Sequence, residues 1–221
     1  MKRLIASTAL TLTLAPAALA EKEPHADIYF AAGTNGRLFT AGWDHDTDTI
    51  ISADQRVFEG ELGLDPMFPF SGDEPGIGSN LIGTTLSLNL LGGLGAWNGA
   101  GYTTSTSGIM VSYGGQDAYS TVGGSVSFLV SQDLHLHPAF TMFGAGGADP
   151  ANGIYIAAFT VSSSAYAASE TFWIVFNLGM SEADHEAAVD WANANLVPGP
   201  GGLALLAFAG ITSARSRTRR R

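Results

Sequence analysis

The sequence contains no cysteine, so no disulfide can stabilise its fold. Basic residues are scarce in the middle of the chain: between residues 21 and 196 they are Lys22, Arg37 and Arg56 alone. Three basic residues against 20 acidic ones give this segment a formal charge of −17, although the whole chain carries −10. Such a surface repels nucleic acid and attracts cations. The composition therefore excludes nucleic-acid binding, and buried apolar area must stabilise the fold.

Motifs of common catalytic sites are also lacking. The sequence has no Gly-x-Ser-x-Gly elbow and no phosphate-binding loop. His185-Glu186 begins a His-Glu-x-x-His pattern, but Val189 stands at the second histidine position, so we expect both residues on the surface of a helix. Glu59 and Glu61 fit either a catalytic carboxylate pair or an acidic strand edge. We therefore predict a non-enzymatic protein, with a secreted hydrolase as an alternative.

The N-terminus has the parts of a secretory signal peptide. Two basic residues precede the apolar run Leu4–Leu19, and Ala18 and Ala20 provide the small residues of a cleavage site. We predict a signal peptide over residues 1–20, recognised by the Sec export machinery, followed by one domain over residues 21–196.

The C-terminal stretch, residues 197–221, predicts a membrane tail. Its entry is Val197, Pro198, Gly199 and Pro200, an apolar block follows to residue 214, and the chain ends in Arg215, Arg217, Arg219, Arg220 and Arg221. As a helix the block would span about 21 Å, against roughly 30 Å of hydrocarbon. Snorkelling of the first arginine and thinning of the bilayer would cover the difference. We predict a short membrane-spanning helix whose arginines stay in the cytoplasm.

These parts, in this order, closely resemble the PEP-CTERM protein-sorting signal of Gram-negative bacteria. The resemblance covers residues 197–221 and departs from the family motif at Gly199, where a glutamate is usual. It implies recognition by an exosortase, anchoring of the precursor in the inner membrane, and delivery to the cell surface or the exopolysaccharide matrix.

The segment between the termini has the composition of strands and turns, since it is rich in Gly, Ser, Thr, Val and aromatic residues. An Asn35-Gly36 turn predicts a first hairpin. Predicted strands cover residues 25–31, 37–41, 56–62, 81–90, 108–113, 125–130, 135–143, 154–161 and 171–177, with loops at 63–80 and 92–107. Short strands separated by turns predict an all-β domain, an antiparallel β-sandwich.

One helix is predicted, over about residues 182–195. Ser181 and Asp184 form a capping box at its start. The apolar face is predicted to consist of Ala183, Ala187 and Trp191. We expect the helix to pack on the edge of the sandwich, just before the tail.

His135 and His137 carry the clearest chemical signal. Residues two apart on a strand project to the same side, and imidazole is the commonest protein ligand of Zn²⁺. His25 opens the first predicted strand and would supply a third ligand if the two strands are neighbours, with Asp27 or Asp133 as a carboxylate ligand. We predict a divalent-metal site at His25, His135 and His137; the alternative is a pair of unliganded surface histidines.

Five short blocks carry a second resemblance. They are His25-Ala-Asp-Ile-Tyr, Arg56-Val-Phe-Glu-Gly-Glu-Leu-Gly63, His135-Leu-His137, Gly153-Ile-Tyr155 and Phe172-Trp-Ile-Val-Phe-Asn177. These blocks are similar to those of zinc-repressed PEP-CTERM proteins and of the surface-anchored domains that accompany metal-type ABC transporters. The resemblance implies an all-β ectodomain and favours zinc or another divalent metal as its ligand.

The sequence is compatible with two other kinds of binding site, one for calcium and one for a sugar. Asp44, Asp46 and Asp48 begin like a calcium loop, but Thr49 and Gln55 replace the glycine and glutamate of that pattern, which favours a solvated acidic hairpin loop. A sugar platform would need exposed aromatic residues, for which the candidates are Trp97, Tyr102, Tyr155, Phe159, Phe172, Trp173 and Phe176. A carbohydrate-binding module of the extracellular matrix is therefore the alternative function, although period-two spacing favours core packing for most of these residues.

Overall fold

The computed structural model describes residues 26–132 and 134–198. Several predicted features lie outside these ranges. They are the signal peptide with Ala18 and Ala20, His25, Asp133, and the tail from Gly199 onward with Pro200 and the five terminal arginines. Within the described ranges, no helix combines the length and the apolar character needed to cross a bilayer.

The described part of the chain forms sixteen β-strands and one α-helix. The strands are β1 (Asp27–Ala32), β2 (Leu38–Asp44), β3 (Thr49–Ser52), β4 (Val57–Leu62), β5 (Ser71–Gly72), β6 (Ile77–Ser79), β7 (Thr85–Leu90), β8 (Gly95–Trp97), β9 (Tyr102–Thr104), β10 (Gly108–Tyr113), β11 (Gln116–Tyr119), β12 (Gly124–Leu129), β13 (Leu134–Leu136), β14 (Ala139–Phe143), β15 (Gly153–Ser162) and β16 (Phe172–Leu178). The helix, α1, covers Glu182–Asn195 and confirms the predicted bounds.

The strands form three sheets. The five-stranded sheet has the order β13-β6-β1-β2-β3, and the four-stranded sheet has the order β11-β10-β14-β5. The seven-stranded sheet has the order β12-β7-β15-β16-β4, with the β8–β9 hairpin joined to β15. The pairs β1–β6 and β4–β16 are parallel. The chain is therefore mostly β, as predicted, but its sheets are mixed and not wholly antiparallel.

One hydrophobic core collects side chains from all three sheets. Phe30 of the five-stranded sheet contacts Phe172 of the seven-stranded sheet, with ring centroids 5.9 Å apart. Phe140 of the four-stranded sheet contacts Phe176 of the same large sheet at 5.1 Å. The two smaller sheets thus face the seven-stranded sheet across the core. The alternation predicted for β7 is confirmed, since its leucines at 86, 88 and 90 are all buried.

The predicted loops and one predicted strand need correction. Residues 63–80 contain β5 and β6, and β6 lies between β1 and β13. Residues 92–107 contain the β8–β9 hairpin. The predicted strand 135–143 is broken at Pro138, which has no N–H for a sheet ladder, and β13 and β14 belong to different sheets.

Helix α1 packs on the outer face of the seven-stranded sheet and not on an edge. Ser181 caps it as predicted, accepting a 3.2 Å hydrogen bond from the Asp184 amide. The predicted apolar face was wrong at Ala183 and Ala187, which are exposed, while its third member, Trp191, is half-buried. The buried face is the neighbouring row His185, Ala188, Val189 and Ala192, which packs with Val57, Ile154, Ile156 and Val175. Beyond the helix, Val197 packs against the same cluster and Pro198 is exposed.

Candidate metal centre

Sheet pairing brings the amino end of β1 next to β13 and to the β2–β3 turn. Across the first hairpin, Asp27 pairs with Trp43, two residues before His45 in the turn. On the other side of β1, β6 runs parallel to it, and Gly78 of β6 pairs with both Tyr29 and His135. Strand β1, the β2–β3 turn and the distant strand β13 therefore place one carboxylate and two imidazoles at one end of the five-stranded sheet.

Asp27 is the centre of this cluster. Its Oδ2 lies 3.0 Å from His45 Nδ1 and 3.1 Å from His135 Nε2. Its Oδ1 accepts a 2.7 Å hydrogen bond from the Gly76 amide. The side chain is 4% exposed, so water supplies little of its solvation. These contacts fix the carboxylate and leave Oδ2 directed between the two rings.

This geometry fits a tetrahedral metal ion. Metal–ligand bonds of roughly 2.0–2.1 Å place neighbouring ligand atoms about 3.3 Å apart at the corners of a tetrahedron. The two nitrogen–oxygen distances are slightly shorter than that edge. One ligand atom from each of Asp27, His45 and His135 lies within 4.8 Å of the other two. A small outward movement of the rings would therefore admit a cation in place of the shared hydrogens.

Groups around the ligands hold them in orientation. His45 Nε2, the nitrogen that faces away from Asp27, lies 3.2 Å from Asp46 Oδ1. A carboxylate behind a histidine is the usual outer partner of a metal-bound imidazole. Trp43 packs edge-on against His135, with ring centroids 5.4 Å apart.

A cleft of about 520 Å³ opens beside the two imidazoles. Its lining includes His45, His135, Trp43, Asn80, Ile82 and Gln132. A cation at the three ligands would therefore have room for a fourth ligand from solvent or from a bound molecule.

The electrostatics favour the form of His135 that binds metal. Burial lowers the pKa of His135; the Asp27 carboxylate opposes this effect, while His137 and His45 add to the lowering. A lowered pKa keeps the imidazole neutral to a more acidic pH, and only the neutral ring coordinates a metal.

No protein-family model matches this sequence, and no curated protein matches it.

His137 lies beside the centre but has other partners. Its ring is 4.5 Å from that of His135, so the two imidazoles lie together as the spacing predicts. However, His137 Nδ1 lies 3.0 Å from the Asp73 carbonyl oxygen and 3.6 Å from Glu74 Oε1. Burial and the Asp27 charge raise the pKa of Glu74. His137 thus belongs to a neighbouring group, while the predicted partners His25 and Asp133 lie outside the described residues.

Sequence reasoning did not select His45 as a ligand. It lies inside the acidic stretch that was considered for calcium, between Asp44 and Asp46. The signal that could have found it is the Asn35-Gly36 hairpin, because its register places residue 45 just beyond Asp27 on the neighbouring strand.

The acidic stretch itself is a hairpin turn, and its carboxylates already have partners. Asp44 accepts hydrogen bonds from the amides of Asp46 and Thr47 and from the Thr47 hydroxyl. The hydroxyl contact in particular lowers the pKa of Asp44. Asp48 Oδ1 accepts from the Trp43 indole at 3.2 Å. These bonds explain the turn without calcium.

Six of the seven aromatic residues considered for a sugar platform separate into two groups, and the seventh, Trp173, is half-buried with the Arg56 guanidinium 5.4 Å from its ring centroid. Tyr155, Phe159, Phe172 and Phe176 are buried in the main core and offer no surface. Trp97 and Tyr102 pack against Trp191 of α1, with ring centroids 6.1 and 5.6 Å away. The second group therefore joins the β8–β9 hairpin to the helix.

Proposed function

We propose that this protein is an exported, non-enzymatic β-sandwich protein that binds zinc at the cell surface or in the extracellular matrix. Asp27, His45 and His135 are the proposed ligands, and the fourth position is open to the neighbouring cleft. One observation carries the metal proposal: two imidazole nitrogens converge on a single buried carboxylate oxygen, at 3.0 and 3.1 Å. The net charge of the domain, −17 between residues 21 and 196, supports it by attracting cations.

The proposal of export rests on the sequences of the two termini. The predicted signal peptide would direct the chain to the Sec machinery, and the predicted PEP-CTERM tail would direct it to an exosortase. The absence of cysteine is compatible with an oxidising compartment, where a metal can provide a cross-link without thiol chemistry.

Zinc titration of the full-length chain tests the metal proposal. After treatment with a chelator, Zn²⁺ is added and binding is followed by calorimetry and by tryptophan fluorescence, since Trp43 contacts His135. His135→Ala and His45→Ala should each weaken zinc binding at this centre by about 100-fold or more, because a ligand removed from a three-residue site is not replaced.

His137→Ala is the matched control. Its imidazole lies next to His135 but turns to Asp73 and Glu74, so we expect zinc affinity within about tenfold of the wild type. Wild-type zinc affinity in His135→Ala, or a complete loss in His137→Ala alone, would contradict the proposed ligand set.

Cell fractionation tests the export proposal. We expect the full-length chain in the membrane or extracellular fraction, and a variant that lacks residues 2–20 in the cytoplasm. Retention of the intact full-length chain in the cytoplasm would contradict the export proposal. It would not contradict the zinc proposal.

A further inference from the structure

A second group of metal-ligating side chains lies between α1 and the outer face of the seven-stranded sheet. Along β4, Phe58 and Leu62 point into the main core, so Glu59 and Glu61 point to the opposite face, towards the helix. His185 extends from the first turns of α1 onto this face and is fully buried. This is the histidine that the incomplete His-Glu-x-x-His pattern placed on the surface, and that expectation was wrong.

The hydrogen bonding of His185 fixes which of its nitrogens is available. Its Nε2 lies 3.0 Å from the Val175 carbonyl oxygen. A carbonyl oxygen only accepts hydrogen bonds, so Nε2 must carry the hydrogen. In a neutral ring the other nitrogen, Nδ1, then presents a lone pair.

That lone pair is directed at carboxylates. His185 Nδ1 lies 3.1 Å from Glu61 Oε1 and 4.0 Å from Glu59 Oε2. Nevertheless, Nδ1 is buried and has no partner with hydrogen-bond geometry among the described residues. A buried polar atom without such a partner carries a free-energy cost, and a lone pair facing negative oxygens adds repulsion. A positive charge between these groups would remove both.

Burial lowers the pKa of His185, but Glu61, the Val175 carbonyl and Glu59 raise it overall, so a proton on Nδ1 competes with a metal ion for this space. A proton on Nδ1 would need an acceptor in line with the N–H bond, and the Glu61 oxygen is not so placed. A cation instead needs ligand atoms arranged around a common point. The Nδ1 of His185 and carboxylate oxygens of Glu59 and Glu182 all lie within 4.8 Å of one another. An imidazole whose second nitrogen donates to a backbone carbonyl is also the common arrangement behind a metal ligand.

We propose that His185, Glu59 and Glu182, with Glu61 as the adjacent fourth ligand, bind a divalent first-row metal cation such as Mn²⁺ or Zn²⁺. One imidazole nitrogen with carboxylate oxygens is a donor set that suits these ions. Two ligands come from α1 and two from β4, so the ion clamps the helix to the sheet. The clamp lies at the amino-terminal end of α1, and the carboxyl-terminal end of the same helix leads into the predicted tail. The proposal does not depend on the zinc centre at Asp27.

Mn²⁺ binding to the full-length chain tests this site. The experiment uses a His135→Ala background, which removes a ligand of the first centre, and follows the loss of the free-ion signal by electron paramagnetic resonance. We expect one bound Mn²⁺ per chain and a rise in Tm on binding. Glu59→Gln and Glu182→Gln should each weaken binding at least about tenfold and abolish the rise in Tm. Half-buried Glu59 and exposed Glu182 are chosen because a substitution of buried His185 would also disturb packing.

Glu186→Gln is the matched control. Glu186 is an exposed carboxylate on the same helix, and its substitution removes the same charge as the other two substitutions. Selective loss of binding in the Glu59 and Glu182 variants supports the clamp. Equal Mn²⁺ binding in all three variants, or no bound Mn²⁺ in the His135→Ala background, overturns it. Zinc titration of Glu59→Gln reports the first centre, and Mn²⁺ binding in the His135→Ala background reports the second, so failure of one site is distinguishable from failure of the other.

Discussion

Asp27 accepts from a backbone amide with one carboxylate oxygen and faces two imidazoles with the other. A buried carboxylate is stable only when such contacts replace its hydration. In the metal-free protein the two imidazoles must therefore supply N–H donors, and in the proposed zinc form the cation replaces them. The same side chain thus explains both states of the centre.

The titration of His135 is the first prediction at the residue scale. Its pKa is lowered mainly by burial, so in the metal-free chain we expect its NMR titration midpoint below the ordinary histidine value of about 6.5. Because the pKa of His135 is lower in the folded chain than in the unfolded chain, the unfolded chain takes up a proton first as the pH falls. The free energy of unfolding should therefore decrease as the pH falls from about 6.5 through the folded-state pKa. Zinc affinity should fall as pH falls through the folded-state pKa, because protons then compete for the ring. A midpoint at or above the ordinary value would contradict the burial argument.

Gly76 is the second residue-scale prediction. A methyl group at this position would lie 2.9 Å from Asp27 Oδ1 and 3.0 Å from His135 Nε2. Gly76→Ala should therefore displace the ligands, weaken zinc binding by about tenfold or more, and lower the free energy of unfolding by roughly 1–3 kcal/mol.

Gly92→Ala is the control for this change. Its added methyl would meet nothing nearer than the Ser120 carbonyl oxygen at 3.9 Å, so we expect neither effect. Zinc titration and urea unfolding of both variants give the measurement. Equal behaviour of the two would show that the packing around Asp27 tolerates the methyl group.

Helix α1 shows what local sequence determines at the scale of an element. Ser181 and the acidic first turn predicted its start, and the observed bounds agree. The buried face was not determined in this way, because helical spacing fits both the row at 183, 187 and 191 and the row at 185, 188, 189 and 192. Only contact with β4, β15 and β16 selects the second row.

Ser181→Ala tests the cap. The Ser181 hydroxyl accepts from the Asp184 amide, and its loss should lower the free energy of unfolding by about 1 kcal/mol, measured by urea denaturation. Glu186→Gln, on the exposed side of the helix, should change it by less than about 0.5 kcal/mol. An unchanged stability in Ser181→Ala would mean that the amide finds another acceptor.

Strand β6 shows the limit of local patterns. It consists of three residues, Ile77–Ser79, in a segment rich in proline, glycine and acidic residues, which is typical of a loop. Its pairing with β1 and β13 comes from strands distant in sequence. The element that joins Asp27 to His135 was therefore among the short strands that periodicity could not identify.

At the scale of the whole molecule, buried apolar side chains must stabilise a domain that has no disulfide, and most of them belong to the main core between the sheets. Phe172 is fully buried and contacts rings from β1, β4 and β15. Phe172→Ala should lower the free energy of unfolding by about 3–5 kcal/mol, because it leaves a cavity between the sheets.

Phe68→Ala is the matched control for this core prediction. Phe68 is 61% exposed, so the same truncation there should cost less than about 0.5 kcal/mol in urea unfolding. A similar loss in both variants would contradict the assignment of the core.

The sequence by itself determined the charge, the absence of disulfides, the β-rich class, the helix with its cap and the pairing of His135 with His137, because each depends on composition or on neighbours along the chain. It also carries the predictions of export and sorting, which rest on residues outside the described ranges. Only the tertiary structure decided that His45 and Asp27 meet His135, and that His185 lies buried against Glu59 and Glu61. The physical reason is that these contacts depend on the register and order of strands far apart in sequence, and many strand orders bury the same apolar pattern.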